Sequence, residues 1–195
     1  TDMASAYYSA VLKNLPNAKQ VFDRFHIVKL MNDKLTQLRR DLQREADKMG
    51  KKVLKGLRFL LLKHQENLNE SKNERARLME ALDLNQPLAI AYYLKEDLGQ
   101  IWQQPNKTIA GRFLKDWCAR ARASGIKVLQ TMANTLEGHR TGILNWYDFP
   151  ISTGRLEGIN NKIGALQRSA YGYRDRDYFI AKLYALHLAK FELIG

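Results

Sequence analysis

Apolar residues recur at steps of three and four over most of the chain. Val28, Met31, Leu35, Leu38, Leu42, Ala46 and Met49 form the longest such series. That period predicts an amphipathic helix of about six turns, stopped by Gly50. Before it, Met3, Tyr7 and Val11 predict a short helix ending near Leu15-Pro16-Asn17. Ala18 to Asp23 then reads as a brief extended segment, a strand between a turn and a helix. Helix resumes from Leu54 to Lys63, and Ser71-Lys72-Asn73-Glu74 has the pattern of a capping box opening a helix through Leu82. Asn85-Gln86-Pro87 opens another toward Trp102, broken by Gln103-Gln104-Pro105-Asn106. Lys107 to Ala123 and Ile126 to Trp146 are two helices separated by Ser124-Gly125, and Asp148-Phe149-Pro150 ends the run. Two final helices fit Gly154 to Gln167 and Arg176 to Phe191. The bulk is all-α, without internal repeat or low-complexity tract.

With 195 residues, 45% of them apolar, the chain is one domain, or one core with a helical insertion, and is too apolar to be disordered. The net charge of +12 changes the picture more, since an excess of that size favours a polyanionic partner, usually nucleic acid. A basic protein without such a partner is the plain alternative. Six basic residues against one acidic residue fall between Lys107 and Lys127, and Lys115, Arg120 and Arg122 are the DNA-contact candidates there. The polar side of the long helix carries Lys34, Arg39, Arg40, Arg44 and Lys48; a solvated face and a DNA-facing role fit it equally well. The single Cys118 forbids an internal disulfide and a Cys-rich zinc site, which suits a reducing cytoplasm. No apolar run approaches the ~20 residues of a membrane span, and no signal-peptide pattern opens the chain. Thr1 stands where an initiator Met would, so a fragment of a longer protein is expected.

Phosphate-binding glycine loops and a G-x-S-x-G elbow are missing, and His26, His64, His139 and His187 are too scattered for a local zinc motif. The informative stretch is Ser152 to Gly164. Leu156, Ile159, Ile163 and Leu166 make one apolar seam, while Glu157, Asn161, Gly164 and Arg168 fall on another face. Glu157 thus stands one turn into a helix among small and amide neighbours, with room for a metal or a phosphate; a carboxylate there can equally offset the helix dipole. Asp23-Arg24-Phe25-His26 puts a carboxylate where a helix begins and a His three residues on, which also describes an N-cap Asp with a core His. Asp2, just before a helix, says no more than N-cap by itself.

Taken together, Thr1-Asp2-Met3, Leu15-Pro16-Asn17-Ala18, Asp23 to Lys29, Ser152 to Ile163, and Arg168-Ser169-Ala170-Tyr171-Gly172-Tyr173-Arg174 with Phe179 resemble the DDE transposases of bacterial insertion sequences, in the family called ISL-three. The resemblance covers nearly the whole chain and is most specific at its two ends. It implies a mainly α chain: the C-terminal part of a ribonuclease-H-like α/β core with a large all-helical insertion. Residues 1–27 would be a partial core with the second Asp and one short strand, 28–150 the insertion, and 151–195 core helices bearing the final Glu. Asp2 matches the second catalytic Asp and Glu157 the Glu, both as metal ligands, while Asp23 and His26 match a D-x-x-H motif acting behind the ligands. The strand with the first Asp would lie upstream of Thr1, so cleavage by this piece alone is not expected.

That family's chemistry is in-line displacement at phosphorus, served by two Mg²⁺ (or Mn²⁺) ions held by carboxylates. Asn160, Asn161, Lys162 and Arg168 would contact the DNA backbone near the site. Tyr171 and Tyr173 could stack on a base, with packing between the last two helices the favoured alternative. Trp102, Trp117 and Trp146 read as core. DNA is the expected partner, as transposon ends and target, and a homo-oligomer is allowed. Two other readings stay open: a non-catalytic basic helical module that binds DNA or regulates a transposase, and a helical scaffold without nucleic acid.

Overall fold

The computed structural model describes residue 3 and residues 5–151 and 154–188, with the side chains of 5–7, 155–157 and 186–188 outside the description. The chain divides into two compact units, residues 1–151 and 152–195.

In the first unit, α1 (Ser5–Asn14) precedes α2 (Arg24–Glu45), the helix around which the core is built. Ile27, Met31, Leu35 and Leu38 of α2 are buried at steps of four, four and three, as a helix with one apolar stripe requires. The stripe is seated by packing against α5 (Gln86–Leu98) and α7 (Lys127–Gly138). Each such side chain contributes about 1.5–3 kcal/mol through burial.

The long helix does not run to Gly50. It ends at Ala46, whose backbone turns extended, and Asp47 accepts the Gly50 N–H at 2.8 Å to open α3 (Lys48–Gly56). A side-chain cap outweighs the continuing apolar period there. Gly50 sits inside α3, where a Cβ would come within 3.1 Å of Ala46 and of Asp47. Arg39, expected on the polar side, is buried at 6% exposure and donates to Gln43 Oε1 (2.7 Å) and to the Leu54 carbonyl (3.2 Å) near the end of α3.

After α3 the chain passes through short 3₁₀ turns in place of the expected helix to Lys63. Leu57, Leu60 and Leu61 are buried, and the ammonium of Lys95 from α5 takes the carbonyls of Leu61 (3.2 Å) and Lys63 (2.7 Å). The capping box is also different in kind. Asn73 is left-handed (φ 50°), and the Glu74 carboxylate reaches back to the Asn69 N–H (2.9 Å) and to Lys63 Nζ (2.6 Å), while Ser71 bonds Asn69. From Glu74 begins α4 (Glu74–Asp83).

Asn85 and Asn106 cap α5 and α6 (Lys107–Ala123), accepting the N–H of Leu88 and of Ile109 at 3.0 Å each. Ser124-Gly125 turns α6 into α7, with Gly125 at φ 70°, a conformation glycine adopts without Cβ penalty. The two helices form an antiparallel pair. Ala110, Gly111, Leu114, Trp117, Cys118 and Ala121 face Val128, Leu129, Met132, Ala133 and Leu136 in one core. The helix expected to continue to Trp146 breaks at His139, giving α8 (Arg140–Leu144) and a closing 3₁₀ turn.

The segment 18–23 is extended yet pairs with no strand, and no strand exists among the described residues. Its polar groups are met by a helix end instead: the Phe22 N–H donates to the Gly142 carbonyl (3.1 Å), and Asn145 Nδ2 donates to the Gln20 carbonyl (3.0 Å). Backbone groups without a neighbouring strand need such partners. The expected mainly α character is what the structure shows; a sheet of the ribonuclease-H type is not among its described residues.

The second unit contains α9 (Gly154–Ser169) and α10 (Arg176–Leu188). Tyr171 (φ 50°) and Gly172 (φ 97°) end α9, with the Gly172 N–H on the Gln167 carbonyl at 2.9 Å, a left-handed C-terminal closure. Asp175 caps α10 through the N–H groups of Asp177 and Tyr178. None of its described side chains is buried.

Candidate functional site

The Asp23-Arg24-Phe25-His26 turn is fixed from both sides. Val21 and Phe22 before it and Ile27 after it are buried in the core of the first unit, so the start of α2 is anchored. Asp23, 8% exposed, accepts the Phe25 N–H at 2.8 Å, as an N-cap does. His26 is half-buried, with its ring edge-on to Phe25 at 5.5 Å, and both Asp23 and His26 make further interactions.

Asp2 lies outside the described residues, as does the Glu157 side chain. The backbone of Glu157 is in the first turns of α9, the position the spacing assigned it. The two acidic positions belong to different units. Among the described residues no three His, Cys, Asp or Glu side chains gather closely enough to hold a metal ion.

Along α9, Asn160, Asn161, Lys162 and Arg168 are all exposed. Gly164 leaves room for the Arg168 guanidinium, which a Cβ there would meet at 3.2 Å. Tyr173 packs on Phe179 (4.9 Å) and Tyr178 (6.1 Å), so of the two tyrosines Tyr171 alone stands clear, fully exposed. Trp102 and Trp117 are core residues, the latter donating its indole N–H to the Leu94 carbonyl at 2.8 Å, and Trp146 is half-buried against Tyr147.

In the basic stretch of α6, Arg120 and Arg122 are paired with acids. Arg120 bridges Asp116 (2.8 Å) and Asp97 (2.7 Å), tying α6 to α5. Arg122 bridges Glu137 and bonds Asn134, tying α6 to α7, and it holds the Glu137 carboxyl below the usual carboxylate range. Lys115 is exposed without an ion pair among the described residues. The pairings with Asp97 and Glu137 join residues 23 and 15 positions apart, which no local pattern announces.

A denser group of cations unmatched by acids lies on α3 and the end of α2. Lys48, Lys51, Lys52 and Lys55 are exposed at helical steps of three, one and three, while Leu54 of the same helix is buried. Lys48 belongs to the side for which the sequence leaves a solvated face and a DNA-facing role open; Lys51, Lys52 and Lys55 have no role in the sequence reading. The buried Lys95 was not foreseen either. It pairs with Glu96 at 2.6 Å; burial pushes its ammonium below the usual lysine range, against the pull of that carboxylate. No helix of the described residues is long and apolar enough to cross a membrane.

A family model described as "Transposase", for DDE enzymes of the ISL3 type, matches residues 1–183. The transposase for insertion sequence element IS1001 of Bordetella parapertussis is 36% identical over 187 residues, covering 94% of this chain and 46% of that protein. The transposase for insertion sequence element IS1557 of Mycobacterium tuberculosis is 28% identical over 203 residues, covering 92% of this chain and 45% of its own length. The chain thus spans a little under half the length of these curated relatives. No solved structure matches it. A match over nearly the whole length, including the segments around Asp2, Asp23-His26 and Glu157, places this chain in the ISL3-type family of DDE transposases.

Proposed function

We propose that this chain is part of a transposase catalytic domain that cuts DNA and transfers strands by metal-dependent displacement at phosphorus during insertion-sequence transposition. The observation that carries the proposal is the family match over residues 1–183. Asp2 and Glu157 are the proposed ligands. Carboxylate oxygens are the donors Mg²⁺ or Mn²⁺ prefers, and such ions stabilise charge on the attacking and leaving oxygens. In this reading 1–27 and 151–195 belong to a ribonuclease-H-like core, 28–150 is inserted between them, and a further Asp is supplied from outside this chain.

The chain's own residues then position the reaction. Asp23 holds the start of α2 through the Phe25 N–H, which fixes His26 as an orienting group beside the site. Asn160, Asn161, Lys162 and Arg168, exposed on the helix that carries Glu157, are the proposed backbone contacts, with Lys115, Arg120 and Arg122 as more distant ones. DNA is the proposed partner, and the cytoplasm the proposed place of action.

The test is a chimera in which this chain replaces the matched region of the Bordetella parapertussis relative. Glu157→Gln should abolish strand cleavage and spare DNA retention; retained cleavage overturns the assignment. A second reading, a non-catalytic DNA-binding or regulatory module, draws on the fact that the first unit closes its own core while the second buries none of its described side chains. A chimera that binds DNA but never cleaves, with Asp2 and Glu157 intact, would favour it.

A further inference from the structure

We propose that the outer surface formed by the end of α2 and by α3 is where this chain grips the phosphate backbone of duplex DNA. The inference rests on the DNA-acting reading above and assigns it a surface. Eight basic residues against three acidic ones lie between Arg39 and Arg58. Arg39 is turned inward. Of the acids, Asp41 pairs with Arg44 at 2.9 Å, and Asp47 is occupied with the Gly50 N–H. Arg40, Lys48, Lys51, Lys52, Lys55 and Arg58 are exposed, with no ion pair among the described residues.

Two features shape that charge into a contact surface. The four lysines form one stripe on α3, because steps of three and four return to the same side of a helix. Beside the stripe, Arg40, Gln43, Arg44 and Lys51 line a groove of about 450 Å³ between the two helices. The groove is open and walled by long cationic side chains, which suits a charged strand passing over it. Concentrated like charge costs stability through self-repulsion and is relieved by a polyanion. The α6 arginines are in the opposite position. Arg120 already faces two carboxylates and Arg122 one, so each phosphate they met would have to displace a partner.

Fluorescence anisotropy of the 195-residue chain with labelled duplexes of several unrelated sequences, over a salt series, tests this. Each phosphate contact contributes about 0.9 to the slope of log affinity against log salt. Arg40→Gln, Lys51→Gln and Lys55→Gln together should lower the slope by about 2.7 and weaken binding at least tenfold on every sequence. Lys13→Gln with Lys72→Gln, exposed cations of other elements, should stay within threefold of wild type. All three changed α2–α3 side chains are exposed, and an unchanged circular dichroism spectrum checks folding. If wild type binds duplex with a steep salt slope and the triple variant matches it, the surface is wrong and the DNA-acting reading stands. If wild type shows no salt-dependent duplex binding, both fall. If an RNA hairpin binds more tightly than duplex and carries the whole loss, the partner is misassigned and the proposal fails.

Discussion

Replacing Gly142 with Ala should destabilise the first unit, although it removes a glycine from a helix. Alanine is favoured over glycine by about 0.8–1 kcal/mol in a helix interior, so propensity alone predicts a gain. The packing predicts the reverse. Gly142 is in α8 and its carbonyl accepts the Phe22 N–H at 3.1 Å, and the Phe22 ring fills the place of the missing side chain. A Cβ would overlap Cδ2 and Cε2 of that ring and lie 3.2 Å from Cζ. The ring has nowhere to withdraw: it is 1% exposed and stacks edge-on to His139 at 5.0 Å. Overpacking a filled core costs about 1–3 kcal/mol, with larger losses when a ring must leave. The net loss is about 1–2 kcal/mol, which for a protein of this size lowers Tm by about 3–6 °C. Thermal unfolding followed by circular dichroism measures it. The same change made in a Phe22→Ala background should be neutral or stabilising, because the obstruction is gone. Gly142→Ala with a Tm at or above wild type, or an equal loss in both backgrounds, would refute the reasoning.

Glu74 gives a pH dependence. Its hydrogen bond to Lys63 and its bond from the Asn69 N–H hold the carboxyl below the ordinary value of 4.5. A carboxylate with a lowered folded pKa adds stability that is complete above the ordinary value and fades as pH falls through the folded one. Wild-type stability should therefore fall as pH drops below about 4.5, and Glu74→Gln, less stable at neutral pH, should flatten that fall; an unchanged acid limb would remove Glu74 from that role. Cys118 is buried, and burial pushes its thiol up to about 11. Ellman's reagent at neutral pH should leave the native chain unreacted for hours and label it at once in denaturant, since the thiolate is the nucleophile; rapid native labelling would mean that the α6–α7 pair opens readily.

What the sequence determined by itself is the set of elements whose signal is local. The apolar period placed α2, α6 and α7, and Asn85 and Asn106 marked where α5 and α6 begin, because a cap and a stripe act within one or two turns. The motif residues carried the family, since wording and order survive without any coordinates. The tertiary structure decided what depends on contacts far along the chain. It turned Arg39 inward to the Leu54 carbonyl. It gave the Glu74 carboxylate to Lys63 and Asn69 instead of a capping box, and seated 18–23 on a helix end instead of a sheet. It paired Arg120 and Arg122 with acids from neighbouring helices while leaving the α3 lysines unmatched. A charge or a backbone amide is satisfied by whichever partner folding brings within about 3 Å, and that choice is made by packing, which the order of residues along one segment does not contain.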